Sequence, residues 1–291
     1  MGQCQSAIAI ALSSFPIARV DILFVNTSQA LIGTVEELAL THQTRSLIRD
    51  QFETNFFGPM NIIKAVLPSM RSAANGHIIV FGGITGHLGT PGLGMYCASN
   101  WALEGFCDSI AYEIAPFNIK LTIVQASIEI GILTNKITSV PPMAAYSPNS
   151  GSTAPLFRGI LDGLLNRLPG IRAQYPSSLD EEMIQSPTSE YERQNGPSIL
   201  RRDEIVSLYP PLSTAHTEKL IAETIHCLTA IGGHENPPAR HIVGIEGVAS
   251  VKEKLKTVSE ELEDFVEAST AVDIDRPGHG HVKTEYDASL D

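Results

Sequence analysis

Basic residues are scarce in this chain: 20 Lys and Arg stand against 32 Asp and Glu in 291 residues, a formal net charge of -12. Nucleic acid and anionic membrane surfaces both need a basic patch, so neither is expected as a partner and a small-molecule substrate is the default. Cysteine is sparse as well. Cys4, Cys97, Cys107 and Cys227 form no Cys-x-x-Cys pair and have no histidine at zinc spacing, which reads as free thiols in a reducing, cytoplasmic compartment. No run approaches the ~20 apolar residues of a membrane helix. The apolar opening AIAIALSSFPIA has no Lys or Arg before it and is broken by Pro16, so it is not read as a signal peptide. His279 and His281 have no acidic or cysteine partners at ligand spacing, and no metal is expected there.

Core-forming material is plentiful, at 43% hydrophobic and 18% charged residues. The first 140 or so residues alternate β-type apolar runs with helical patterns, as a parallel α/β sheet does. VDILFVN (20–26), GHIIVFGG (76–83), IKLTIVQAS (119–127) and RHIVGI (240–245) read as strands, the first of them as one covered on both faces. SAIAIALSSF, a long stretch over 45–70 broken near Gly58-Pro59, 96–115 with an apolar stripe of Trp101, Phe106 and Ile110, and 217–231 read as helices. Residues 138–215 lose periodicity around one helical piece, APLFRGILDGLLNRL, and read as an irregular lid or substrate region. Residues 1–250 are expected to form one domain. Residues 251–291 read as an amphipathic helix, with Leu255, Val258, Leu262, Phe265 and Val266 on one side, followed by an acidic, frayed tail.

Four stretches, in order and at matching spacing, resemble the short-chain dehydrogenase/reductase family: DILFVNTSQ, FETNFFG, GHIIVFGGITG and PGLGMYCASNWALEGF. The resemblance runs from about Ala7 to Ile130, then loosely to Gly247. It implies a Rossmann-like doubly wound parallel sheet and an NADP- or NAD-dependent oxidoreductase acting on small ketones or alcohols, assembled as a homodimer or homotetramer. It also implies roles. Tyr96 stands at the catalytic tyrosine, the proton donor and acceptor. Asn55 stands at the helix asparagine of the proton relay, and Asn26, Tyr96 and Asn100 at cofactor-binding positions.

The family letters are altered at several of these places. The lysine four residues after the tyrosine is Asn100, which can hydrogen-bond a ribose but brings no charge. The carbonyl-polarising serine thirteen residues before it is Gly83, with Thr85 two residues on as a stand-in. The Asn-Asn-Ala-Gly turn has become Val25-Asn26-Thr27-Ser28. No Gly-x-x-x-Gly-x-Gly turn is present, so the fold is expected to be partial, lacking the first mononucleotide-binding half as an N-terminally truncated relative would, and to bind its nicotinamide cofactor poorly. Redox activity is expected to be impaired. A non-catalytic scaffold or binding pseudoenzyme, and a non-redox cyclase or isomerase using Tyr96 as a simple acid, stand as alternatives. His87 reads as a solvated loop residue.

Overall fold

The structure, a computed structural model, describes residues 1–127, 137–140, 143–146, 214–232 and 234–270. In chain order these form α1 (Gly2–Ser14), β1 (Ile22–Val25), β2 (Ala30–Ile32), α2 (Val35–Ala39), α3 (His42–Phe52), a π-helical turn (Glu53–Phe57) and α4 (Gly58–Ala73). Then come β3 (Gly76–Gly83), a 3-10 turn (Ile84–Gly86), α5 (Gly94–Ile114), β4 (Ile119–Ala126), β5 (Ile137–Ser139), α6 (Thr214–Gly232), β6 (Arg240–Val243), α7 (Ile245–Asp264) and α8 (Val266–Thr270). The chain divides into two compact units, Met1–Val251 and Lys252–Asp291.

In the first unit β1, β3, β4 and β6 form one parallel sheet in the order β1-β3-β4-β6. Parallel strands need crossovers, and helices α4 and α5 supply them between β1, β3 and β4. One face of the sheet carries Val25, Ile78, Val80 and Ile123 and packs against Ile8 of α1, Ile63, Val66 and Met70 of α4, and Leu103, Cys107 and Ile110 of α5. The opposite face carries Ile79, Val124, Ala126 and Val243 and packs against Ile231, with Leu220, Cys227 and Leu228 at its margin, all from α6. Apolar side chains at both pleat phases of β3 and β4 follow directly from this two-sided cover.

β1 departs from the expectation that it is covered on both faces. Ile22 and Phe24 are 49% and 43% exposed. Their register against His77 and Ile79 places them on the α6 face, where α6 cover reaches Ile79 but not β1. Two short strands escaped the sequence reading. β2 and β5 pair in parallel, Ala30 with Ile137 through Ile32 with Ser139, so regular structure begins inside the stretch read as irregular from 138. The helical piece at 154–168, the rest of that stretch and the tail from 271, with His279 and His281, lie outside the described residues.

The break expected near Gly58-Pro59 takes the form of a π turn. Pro59 has no N–H to offer the Asn55 carbonyl four residues back, and the turn ending at Gly58 widens to close its bond on the Glu53 carbonyl. The consequence is local: the widened turn holds Asn55, buried. The inner stripe of α5 also differs from the expected one: Leu103, Cys107, Ile110 and Ile114 are buried, whereas Trp101 is 52% exposed and lies edge-on to His87.

Candidate functional site

The site lies where the C-terminal ends of β1 and β3 meet the first turn of α5, the usual place for a ligand in an open α/β sheet. Thr27, Ser28, Asn55, Phe81, Gly82, Tyr96, Asn100 and Leu103 line a cavity of about 10 Å³, the room of about one water. Asn26 is not among these lining residues; it is exposed at the end of β1.

Tyr96 is 2% exposed. Its phenol oxygen is 3.3 Å from Ser28 Oγ. Burial pushes this phenol above its ordinary pKa, and hydrogen bonds with Ser28 and Asn100 pull the other way. Asn100 also donates its amide back to the Tyr96 main-chain carbonyl at 3.0 Å, and Ser99 Oγ donates to the same carbonyl at 2.8 Å. The first turn of α5 is thus stitched to itself by two side chains.

Asn55 is a clamp. Its Oδ1 accepts from the Gln29 N–H at 2.8 Å, and its Nδ2 donates to the Gln29 carbonyl at 3.0 Å and to Ser99 Oγ at 3.1 Å. Both ends of the amide are committed, the oxygen to the loop after β1 and the nitrogen to that loop and to α5. Thr27 Oγ1 reinforces the same join by donating to the Thr54 carbonyl at 3.0 Å.

Gly83 has extended backbone that any residue adopts. A β-carbon built there would stand 3.1 Å from Thr85 Oγ1. Thr85 is 1% exposed, and its hydroxyl has no hydrogen-bond partner among the described residues. A buried hydroxyl without a partner is costly and uncommon, and this one lies beside the place a serine side chain would take.

A polar network next to the site carries no expected role. Gln125 Nε2 donates to Glu104 Oε1 at 2.8 Å and meets His87 Nε2, while Arg240 pairs with Glu104 Oε2 at 3.2 Å and with Asp108. His87 is therefore tied into the protein, not solvated as expected. Gly86 is required by the same network, because a β-carbon there would come within 2.6 Å of Glu104 Cγ. Ser28, the partner of the phenol, was also missed as a site residue. Its signal was the replacement of the family glycine by a side chain able to reach the cavity.

The residues as placed do not fit a nicotinamide ribose. Beside the phenol a ribose needs open room and a fixed cation. Here a serine hydroxyl sits at 3.3 Å, position 100 carries an uncharged amide, and the cavity holds about one water. No group of acidic, histidine or cysteine side chains able to hold a metal occurs among the described residues, and no described helix is long and apolar enough to cross a membrane.

The family described as short chain dehydrogenase matches residues 1–135. Human retinol dehydrogenase 8 is 30% identical over 217 residues, which are 75% of this chain and 63% of that protein. The 3-ketodihydrosphingosine reductase of Bacteroides thetaiotaomicron is 43% identical over 107 residues, 37% of this chain and 38% of that one. Human 17-beta-hydroxysteroid dehydrogenase type 1 is 31% identical over 121 residues, 42% of this chain and 35% of that protein. The chain spans less than two thirds of the length of each of these relatives. In fold it is similar to a short-chain dehydrogenase from Streptomyces avermitilis, with a TM-score of 0.59 at 21% identity, covering 93% of this chain and 77% of that one. By the family match over residues 1–135, those residues belong to the short-chain dehydrogenase/reductase family, and the parallel Rossmann-like sheet agrees with it in fold.

Proposed function

We propose that this chain is a ketone/alcohol oxidoreductase site of its family that keeps a proton donor and a carbonyl-recognising hydroxyl but is impaired on its nicotinamide side, and therefore in redox turnover. The observation that carries this is the state of Tyr96: buried, held by Ser28, and beside Asn100 at the place of the family lysine, with Gly83 at the sequence position of the family serine. A phenol raised above its ordinary pKa is protonated at neutral pH. It can give a proton to a developing alkoxide, but it is a poor acceptor for the reverse reaction. Alcohol oxidation is therefore the more damaged direction.

Thr85 supports the carbonyl side. Its hydroxyl is buried, unpartnered and beside the β-carbon position of residue 83, where a substrate oxygen would satisfy it. The substrate class is a lipophilic alcohol or ketone. Retinol, 3-ketodihydrosphingosine and a 17-beta-hydroxysteroid, the compounds in the names of three relatives, all place such a group on a large apolar body.

The test joins this chain behind a complete cofactor-binding half from an active relative and follows single-turnover NADPH oxidation with a ketone. Gly83→Ser with Asn100→Lys is expected to raise the rate by about 100-fold or more, and Tyr96→Phe to abolish the gain. Equal rates with and without the two changes would show that those positions do not limit turnover. A second reading, a non-catalytic binding protein, is favoured by the Ser28 contact that already engages the phenol oxygen. It requires that no combination of these substitutions produces turnover.

A further inference from the structure

The second unit begins with the C-terminal part of α7, and its apolar residues are spaced for a partner. Leu255, Val258 and Leu262 follow at steps of three and four within α7, the alternation that puts a single seam along a helix, and Phe265, the next step of three, stands in the turn just after it. They are 63%, 36%, 61% and 65% exposed. Nothing among the described residues covers the seam.

The charges along the same helix are sorted by position. Lys252, Lys254 and Lys256, with one acid, Glu253, among them, fall before Val258, whereas Glu260, Glu261, Glu263 and Asp264 fall after it, with no base. The last turn of α7 holds no basic residue. Acidic side chains at a helix C-terminus oppose its own dipole, so this order does not serve the isolated helix. The Lys256–Glu260 pair, at 3.7 Å, is one contact within α7 that crosses the divide.

We propose that this face of α7 pairs antiparallel with the same face of a second copy of the chain. A two-fold axis near Val258 sets Leu255 against Leu262 of the second copy and lays each lysine segment along the other copy's acidic segment. A parallel pair would put lysine on lysine and glutamate on glutamate, which is destabilising. Antiparallel pairing also brings positive charge to the two C-terminal turns that lack it. With four seam residues per copy the pair is weak and concentration-dependent.

Sedimentation velocity on the full chain tests the pairing between roughly 10 and 300 μM at low salt. Three sets of substitutions at exposed sites are compared: Lys252→Glu, Lys254→Glu and Lys256→Glu; Glu260→Lys, Glu261→Lys and Glu263→Lys; and both together. The expected result is a self-association step in the unchanged chain that either single set abolishes. A one-to-one mixture of the two single-set proteins, and the chain carrying both sets, each restore it. Leu255→Asp with Leu262→Asp removes the step in every background, with circular dichroism confirming that the fold is kept. A chain that shows no such step overturns the proposal. So does a step that survives either single set, whether it comes from another face of the protein or from an interface blind to these charges.

Discussion

The two halves of α5 are put to different uses. Its C-terminal half packs: Leu103, Cys107, Ile110 and Ile114 are buried, and all four join the same core as Ile78 and Val80 of β3. Its N-terminal part instead serves the cavity: Tyr96 meets the Ser28 hydroxyl, and Asn100, one turn on, donates back to the Tyr96 carbonyl. Packing tolerates very little change at a close-packed position, whereas polar groups at a cavity can be exchanged without unfolding the chain, provided each buried group finds a partner. The partners found here are internal: Asn55 on Gln29 and Ser99, Asn100 on Tyr96, and Ser28 on the phenol. The polar groups around the cavity are thus mostly satisfied by one another, and the buried Thr85 hydroxyl is left without a partner among the described residues.

Substitutions at the two ends should separate these uses. The largest effect is expected in the core: Ile78→Ala, at a fully buried position packed from α4 and α5, should cost about 2–5 kcal/mol in urea unfolding. A loss below about 1 kcal/mol would mean that the sheet face is looser than its burial indicates.

A smaller effect is expected at the site. Gly83→Ser alone should destabilise by about 1 kcal/mol, because its β-carbon meets Thr85 Oγ1 at 3.1 Å, and the same change in a Thr85→Ala background should cost close to nothing. Additive losses would show that the Thr85 hydroxyl does not occupy the serine's place.

The smallest effect concerns pH, away from the site. His77 is buried on β3, with Nε2 at 2.9 Å from Thr122 Oγ1, and burial lowers its pKa from the ordinary value of 6.5. Between that value and the lower folded one, the unfolded chain binds a proton that the folded chain does not. This contribution to stability is therefore full above pH 6.5 and is lost as pH falls. His77→Gln should flatten the decline seen in unfolding midpoints on acidification. An unchanged slope would place the acid sensitivity elsewhere.

Much of the frame could be read from residues. GHIIVFGG was expected as a strand over 76–83 and forms one over the same span, because a long apolar run bounded by glycine leaves little choice. β2 and β5 were not read. Each is three residues long, too short for any periodicity, and each exists only through pairing with the other across more than a hundred residues. α2 was missed although Thr34 and Glu37 spell a capping box, a local signal that five helical residues did not make visible as an apolar stripe. At the site, the identities of the altered letters were plain in the sequence. What they do was not: that Ser28 reaches the phenol, that Asn100 turns back on its own helix, and that Thr85 is left unpaired are facts of packing.

The central claim, that the nicotinamide side of this site has closed while its frame persists, is tested most directly by calorimetric titration of NADPH and NADH into the folded 291-residue chain. The account predicts no saturation with either, a dissociation constant weaker than about 1 mM. Micromolar binding of either would contradict it, because the Ser28–Tyr96 contact and the uncharged Asn100 would then have to open into a working cofactor site.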